Sequence, residues 1–186
     1  GKRLNYGTLI IHTSDQSEAA KLHNIPGPEQ HARLIDAMID PDFAPQMLPS
    51  ANPPHELITR GETLNVEFKA SFQWDYRLQK RNKDLHEPVM KNLTAFMNTQ
   101  GGTLLIGVDD EGQILGLEPD YATLGKKNSD GFENVFNMAF NKMIGPEYRQ
   151  YVSISFHTIA DKEICMLFAV PAADPVFLND KGEEKF

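Results

Sequence analysis

Residues 60–186 are predicted to form an α+β fold, a mixed and mostly antiparallel sheet with two helices packed on it. Three observations predict it. Apolar and polar residues alternate at 64–69 and at 152–157, the period of a half-buried strand. Two stretches, 84–99 and 130–143, carry apolar residues at helical spacing. Between them lies a nearly unbroken apolar run, Thr103–Val108, as a central strand covered on both faces requires. The expected order is β-α-β-β-α-β-β-β.

Residues 1–40 are expected to form a strand followed by a helix. Thr8-Leu9-Ile10-Ile11 reads as a short strand, and Pro26-Gly27-Pro28 as a break. Leu34, Ile35, Met38 and Ile39 recur at helical spacing, and Asp40-Pro41 ends that helix. Residues 41–59 contain five prolines and read as an extended linker to the domain at 60–186.

In that domain Leu64, Val66 and Phe68 should face the core, which puts Glu67 and Lys69 together on the other face. Residues 70–83 read as a polar loop. Asp84 is placed to cap a helix running to about Thr99, with Leu85, Val89, Leu93, Phe96 and Met97 as its stripe. Pro88 falls in its first turn, and Gly101-Gly102 stops it. After the central strand, Asp109-Asp110-Glu111-Gly112 reads as a hairpin turn into a strand at Gln113–Gly116. Asp130 and Glu133 suggest a capping box ahead of Phe132, Val135, Phe136, Ala139, Phe140 and Met143. Gly145-Pro146 closes that helix. Strands follow at 152–157 and 163–170, turning at Asp161-Lys162, and a last hairpin turns around Asp180-Lys181-Gly182.

The composition narrows the chemistry. The formal charge is −8, unlike a strongly basic nucleic-acid-binding domain, although a local patch can still hold phosphate. One cysteine, Cys165, leaves no disulfide framework or cysteine-based zinc site within the chain, and its apolar strand makes it a core residue. This usage suits a reducing, cytoplasmic setting. No apolar run reaches the roughly 20 residues of a membrane helix, so no membrane insertion is expected. The chain starts with Gly and stops within what reads as a strand, so it is expected to be part of a longer protein. The glycines at 101, 102 and 107 precede a strand and lack a closing Lys-Ser/Thr, so no ATP site is expected. The histidines show no metal-ligand spacing.

Two clusters remain. Glu62, Glu67 and Asp110 would converge at one end of the sheet if their strands are neighbours. Hard carboxylate oxygens suit Mg²⁺ or Mn²⁺, and such an ion can assist phosphodiester hydrolysis, with Lys69 offsetting phosphate charge. On spacing alone, the reading as solvated surface acids is the stronger of the two. The second cluster is basic: residues 68–83 hold Lys69, Arg77, Lys80, Arg81 and Lys83 against Asp75, a net +4, with Phe72, Trp74 and Tyr76 alternating just before the run. Cations beside aromatics suit a nucleic-acid backbone with unstacked bases. The alternative is a solvated loop anchored by Trp74.

The blocks Glu62-Thr63-Leu64-Asn65-Val66-Glu67-Phe68-Lys69 and Ala95-Phe96-Met97-Asn98-Thr99-Gln100-Gly101-Gly102-Thr103-Leu104-Leu105-Ile106-Gly107-Val108-Asp109-Asp110 resemble the Schlafen AlbA_2 domain. Pro175-Val176-Phe177-Leu178 fits its last strands, so the resemblance covers about residues 56–186. It implies a nucleic-acid-binding domain. A related fold in animal Schlafens is a metal-dependent endoribonuclease acting on tRNA and rRNA. Its three catalytic carboxylates fall here on Glu62, Glu67 and Asp110. The resemblance thus implies RNA, tRNA-like, or DNA as partner. The animal core has two lobes where this chain has one, a gap a homodimer would fill, and the animal zinc-binding Cys/His set is missing. Gly7–Ile11 followed by Leu22–Glu29 also resembles the end of a bacterial pleckstrin-homology-like domain. The leading expectation is therefore an RNA-cutting enzyme. The alternatives are a non-catalytic nucleic-acid-binding or regulatory module, a protein-interaction or ligand-sensing module, and, from the Glu67-x-Lys69 pair, a restriction-type DNA nuclease.

Overall fold

The structure, a computed structural model, describes residues 52–179 in full and the backbone of 6–12, 18–26, 180 and 183–185. The chain divides into two compact units, Gly1–Asn52 and Pro53–Phe186. In the first, β1 (Tyr6–His12) pairs antiparallel with β2 (Glu18–Pro26), so the strand expected at Thr8–Ile11 is present. The helix expected around residues 34–39 lies outside the described residues, as do residues 41–51 of the expected linker.

The second unit begins with a helix where linker was expected: α1 spans Pro54–Arg60. Pro54 stands in its first turn, where a proline's missing N–H costs nothing. Gly61, at φ +79°, ends it by donating back to Leu57. β3 (Val66–Lys69) pairs in parallel with β6 (Gly102–Ile106), and β6 pairs antiparallel with β8 (Lys162–Ala169), which pairs antiparallel with β7 (Val152–Ile159). The sheet order is β3-β6-β8-β7. The predicted mixed sheet is present, and β6, buried at every residue, is central as expected. β9 (Leu178–Asp180) and β10 (Glu183–Lys185) form the expected final hairpin.

α2 (His86–Met97) and α4 (Ser129–Met143) pack on one face of the sheet. Val89, Leu93, Phe96 and Met97 of α2 meet Phe132, Phe136 and Phe140 of α4 over Leu104, Ile106, Cys165 and Leu167. Each such fully buried apolar side chain contributes roughly 2 kcal/mol of transfer free energy. The opposite face is covered by α1, with Leu57 against Val66, Phe68, Leu105, Ile164 and Met166. Both faces of the sheet are thus occupied.

Several local expectations are corrected. Leu64 does not face the core; Thr63 and Val66 bridge across a tight turn that leaves Leu64 fully exposed. Residues 113–116 form no strand, only a single bridge between Val108 and Ile114, because both Gly112 and Gly116 take positive φ and turn the chain. A short helix, α3 (Glu118–Ala122), follows instead. Both helix caps lie upstream of the expected acids. Asn82, not Asp84, caps the 3₁₀ turn leading into α2, by accepting from the Asp84 amide. Asn128, not Asp130, caps α4 by accepting from Gly131. Asp130 pairs with Lys126, and Glu133 faces Arg149 at 3.9 Å. Gly101 does stop α2. Its φ is +83°, its amide donates to Phe96 O, and a Cβ there would lie 2.6 Å from the Ala169 carbonyl.

Candidate nucleic-acid interface

β3 is an edge strand, and its pleat puts Glu67 and Lys69 beside Leu104 and Ile106 of β6. That is the face the two long helices cover, and at its rim both side chains stay half-buried. Lys69 Nζ lies 2.5 Å from Glu67 Oε1 and also donates to the Phe68 carbonyl at 2.8 Å. The expected pairing of these two residues on one face is present, as an internal ion pair. Glu62 reaches back to the same strand, where its Oε1 accepts the Phe68 amide at 2.8 Å. Odd-numbered residues of β3 bond to β6, as Gly107 N to Lys69 O shows, so the Phe68 N–H faces away from the sheet. The Glu62 carboxylate occupies that outward position.

β6 is the parallel neighbour of β3, so the chain does bring Asp110 to the end of the sheet where β3 finishes. Asp109–Gly112 forms the expected tight turn, closed by Gly112 N to Asp109 O and by Gln113 N to the Asp109 carboxylate. Asp110 projects from this turn into solvent. Among the described residues no three His, Cys, Asp or Glu side chains are grouped so as to hold a metal ion. Glu67 is engaged by Lys69, Glu62 by an amide, and Asp110 stands on the turn, so the three carboxylates do not fit a metal in this arrangement.

The basic stretch is not the plain loop expected. β4 (Trp74–Asp75) pairs antiparallel with β5 (Lys80–Arg81), Trp74 opposite Arg81 and Asp75 opposite Lys80. Asp75 sets the turn: Oδ1 accepts from the amides of Arg77 and Leu78, both at 2.9 Å, and Oδ2 from the Asn82 side chain at 3.0 Å. These bonds, Asn82's first, hold its carboxyl below the ordinary aspartate value. Gln79 completes the turn at φ +51°. The hairpin presents Arg77, Lys80, Arg81 and Lys83, all exposed. Among the described residues none of the four is in an ion pair. Trp74 is half-buried, Tyr76 36% exposed, and Leu78 57% exposed at the tip.

What fixes the hairpin to the body is a residue that no pattern in the sequence singles out. Asp120, in the first turn of α3, has no exposed surface. Its Oδ1 accepts from Gln73 N at 2.7 Å and Trp74 N at 3.0 Å, and its Oδ2 from Phe72 N at 3.1 Å. Burial pushes this carboxyl above its ordinary value, and the three amides pull it partly back. Gln73 extends the anchorage, donating to Thr123 Oγ1 at 2.6 Å and accepting from Arg81 Nε at 3.1 Å. Below it, the His86 ring stacks on Phe72 with centroids 4.1 Å apart. Among the described residues no partner meets His86 Nε2. Burial, reinforced by Lys83 and Arg81, lowers the imidazole to about 4.

A small α+β sheet domain that carries a rigid basic hairpin and a carboxylate-bearing edge strand is the class these features define. The chain belongs to the Schlafen AlbA_2 family, whose model, described as "Schlafen, AlbA_2", matches residues 62–185. No curated protein matches the chain. A similar solved structure is that of the DIP2311 protein from Corynebacterium diphtheriae, with 12% identity and a TM-score of 0.44 over 83% of this chain. The chain spans 27% of that protein's length. Among the described residues no helix is long and apolar enough to cross a membrane.

Proposed function

We propose that this domain binds folded RNA through the hairpin of residues 74–83. One observation carries the reading: in a chain of net charge −8, four exposed cations without an ion pair share one hairpin that a buried carboxylate holds in place. Cations outside an ion pair have no carboxylate to leave before they meet a phosphate, and each neutralised phosphate releases a counterion. Membership of the Schlafen AlbA_2 family supports this reading. The test is fluorescence anisotropy with labelled tRNA across a salt series. Replacing Arg77, Lys80 and Arg81 together by Ala should weaken binding by about 30-fold or more and reduce the slope of log affinity against log salt by about 2–3. An unchanged slope would remove the hairpin from the interface.

A second reading is phosphodiester cleavage at the adjacent edge. It is favoured by Glu62, Glu67 and Lys69 gathering on β3 next to the turn that carries Asp110. Cleavage with Mg²⁺ or Mn²⁺ would require Glu67 to leave Lys69 and the three carboxylates to close together on the bound RNA. Incubation of total tRNA with either ion separates the two readings. Cutting that EDTA and Glu67→Ala both abolish is the result expected of a nuclease. Intact tRNA in every lane, with anisotropy binding retained, leaves binding alone.

A further inference from the structure

The tip of the basic hairpin carries an aliphatic side chain where phosphate binding alone calls for a polar one. Leu78 is 57% exposed, between Arg77 and the cations of β5. It does not sit on a loose loop. The Leu78 amide is held by Asp75 Oδ1, and the base of the hairpin by the three amide bonds to Asp120. A binder of single strands offers exposed aromatic faces on which successive bases stack. This hairpin offers less of that than of aliphatic surface: Trp74 is half-buried and Tyr76 is 36% exposed, against 57% for Leu78. A rigid aliphatic tip flanked by cations suits a wedge instead. The cations hold phosphates on either side of a base step, and the apolar group enters the step as its stacking is lost.

We infer that Leu78 is a wedge, and that the hairpin selects base-paired RNA interrupted by a deformable step, such as a bulge or a loop junction, over single strands and uninterrupted duplex. This inference rests on the RNA-binding reading above and sharpens it to a class of RNA. Unstacking one step costs a few kcal/mol in a regular duplex and less beside a bulge, which is the source of the selection.

The experiment uses the full chain and three labelled RNAs of equal length: single-stranded, fully paired, and paired with one bulged adenosine. The bulged RNA carries 2-aminopurine next to the bulge, whose fluorescence rises on unstacking. Wild type should bind the bulged duplex about ten-fold tighter than the other two and raise the fluorescence. Leu78→Ser should bring the bulged duplex down to the level of the other two and abolish the rise, and Leu78→Phe should retain both. Leu78 is exposed, so an unchanged melting temperature shows that the variant folds. Equal binding of all three RNAs by wild type, with no fluorescence rise, overturns the wedge and leaves the RNA-binding reading standing. So does a Leu78→Ser variant that discriminates as wild type does. Binding to none of the RNAs, with partition onto vesicles containing anionic lipid, overturns both.

Discussion

Asp120→Ala is expected to lower the unfolding free energy by about 3–5 kcal/mol, read from denaturant midpoints at pH 7. The substitution removes one side chain but strands three amides, those of Phe72, Gln73 and Trp74, of which the first two belong to fully buried residues. A buried donor without an acceptor costs about 1–3 kcal/mol, so the sum exceeds what most single surface changes do. Asp120→Asn should cost less. Its carbonyl oxygen can serve Gln73 and Trp74 from the Oδ1 position, but its amide nitrogen would then face the Phe72 N–H donor to donor. The two variants should also weaken RNA binding in the same order, because the hairpin stands on these bonds. A stability loss under about 1 kcal/mol for Asp120→Ala would mean that the anchorage lies elsewhere.

The second large effect is on pH. His86 titrates at about 4 in the folded protein, against its ordinary 6.5 in the unfolded chain. Between those values the unfolded chain holds more protons than the folded one. The contribution of the neutral, stacked imidazole is therefore fully present above pH 6.5 and is lost as pH falls through the window from 6.5 to 4. The loss by pH 4 is about 3 kcal/mol, at 1.36 kcal/mol per unit of pKa. Unfolding curves from pH 7.5 to 4.5 should show this decline in wild type. His86→Phe, which keeps a ring against Phe72 and has nothing to protonate, should be flatter over the same range. Parallel curves for the two proteins would assign the acid sensitivity to other groups.

The sheet and its two long helices were legible because their burial is periodic. Val66 and Phe68, the stripe on α2 and the phenylalanines of α4 announce their buried faces by spacing alone. The smaller elements were not. α1 was hidden by its prolines, which mark a linker and a helix start alike. β4 and β5 are two residues each, too short for any period, and the hairpin they form is defined by the Asp75 side chain. Both caps were misplaced by two residues because an acid lay close to the asparagine that does the capping. At the candidate site, the shared face of Glu67 and Lys69 followed from the pleat. Their direct pairing, and the hold of Glu62 on Phe68, depend on rotamers that spacing does not encode. Asp120 was out of reach for a different reason: its three donors lie 46–48 residues away in sequence. Only the folded chain shows them together.

The carboxylate of Glu62 has a consequence apart from chemistry. An edge strand offers a row of outward N–H and C=O groups to any other extended chain, and sheets that leave such a row bare invite association between molecules. On β3 two of the outward groups are already taken. The Phe68 N–H is covered by the Glu62 side chain, and the Val66 carbonyl takes the Thr63 amide across the tight turn. A strand seeking to extend the sheet past β3 would have to displace the Glu62 side chain from a backbone amide and unfold that turn. Glu62 thus occupies the pairing position that this edge would otherwise offer to a second extended chain.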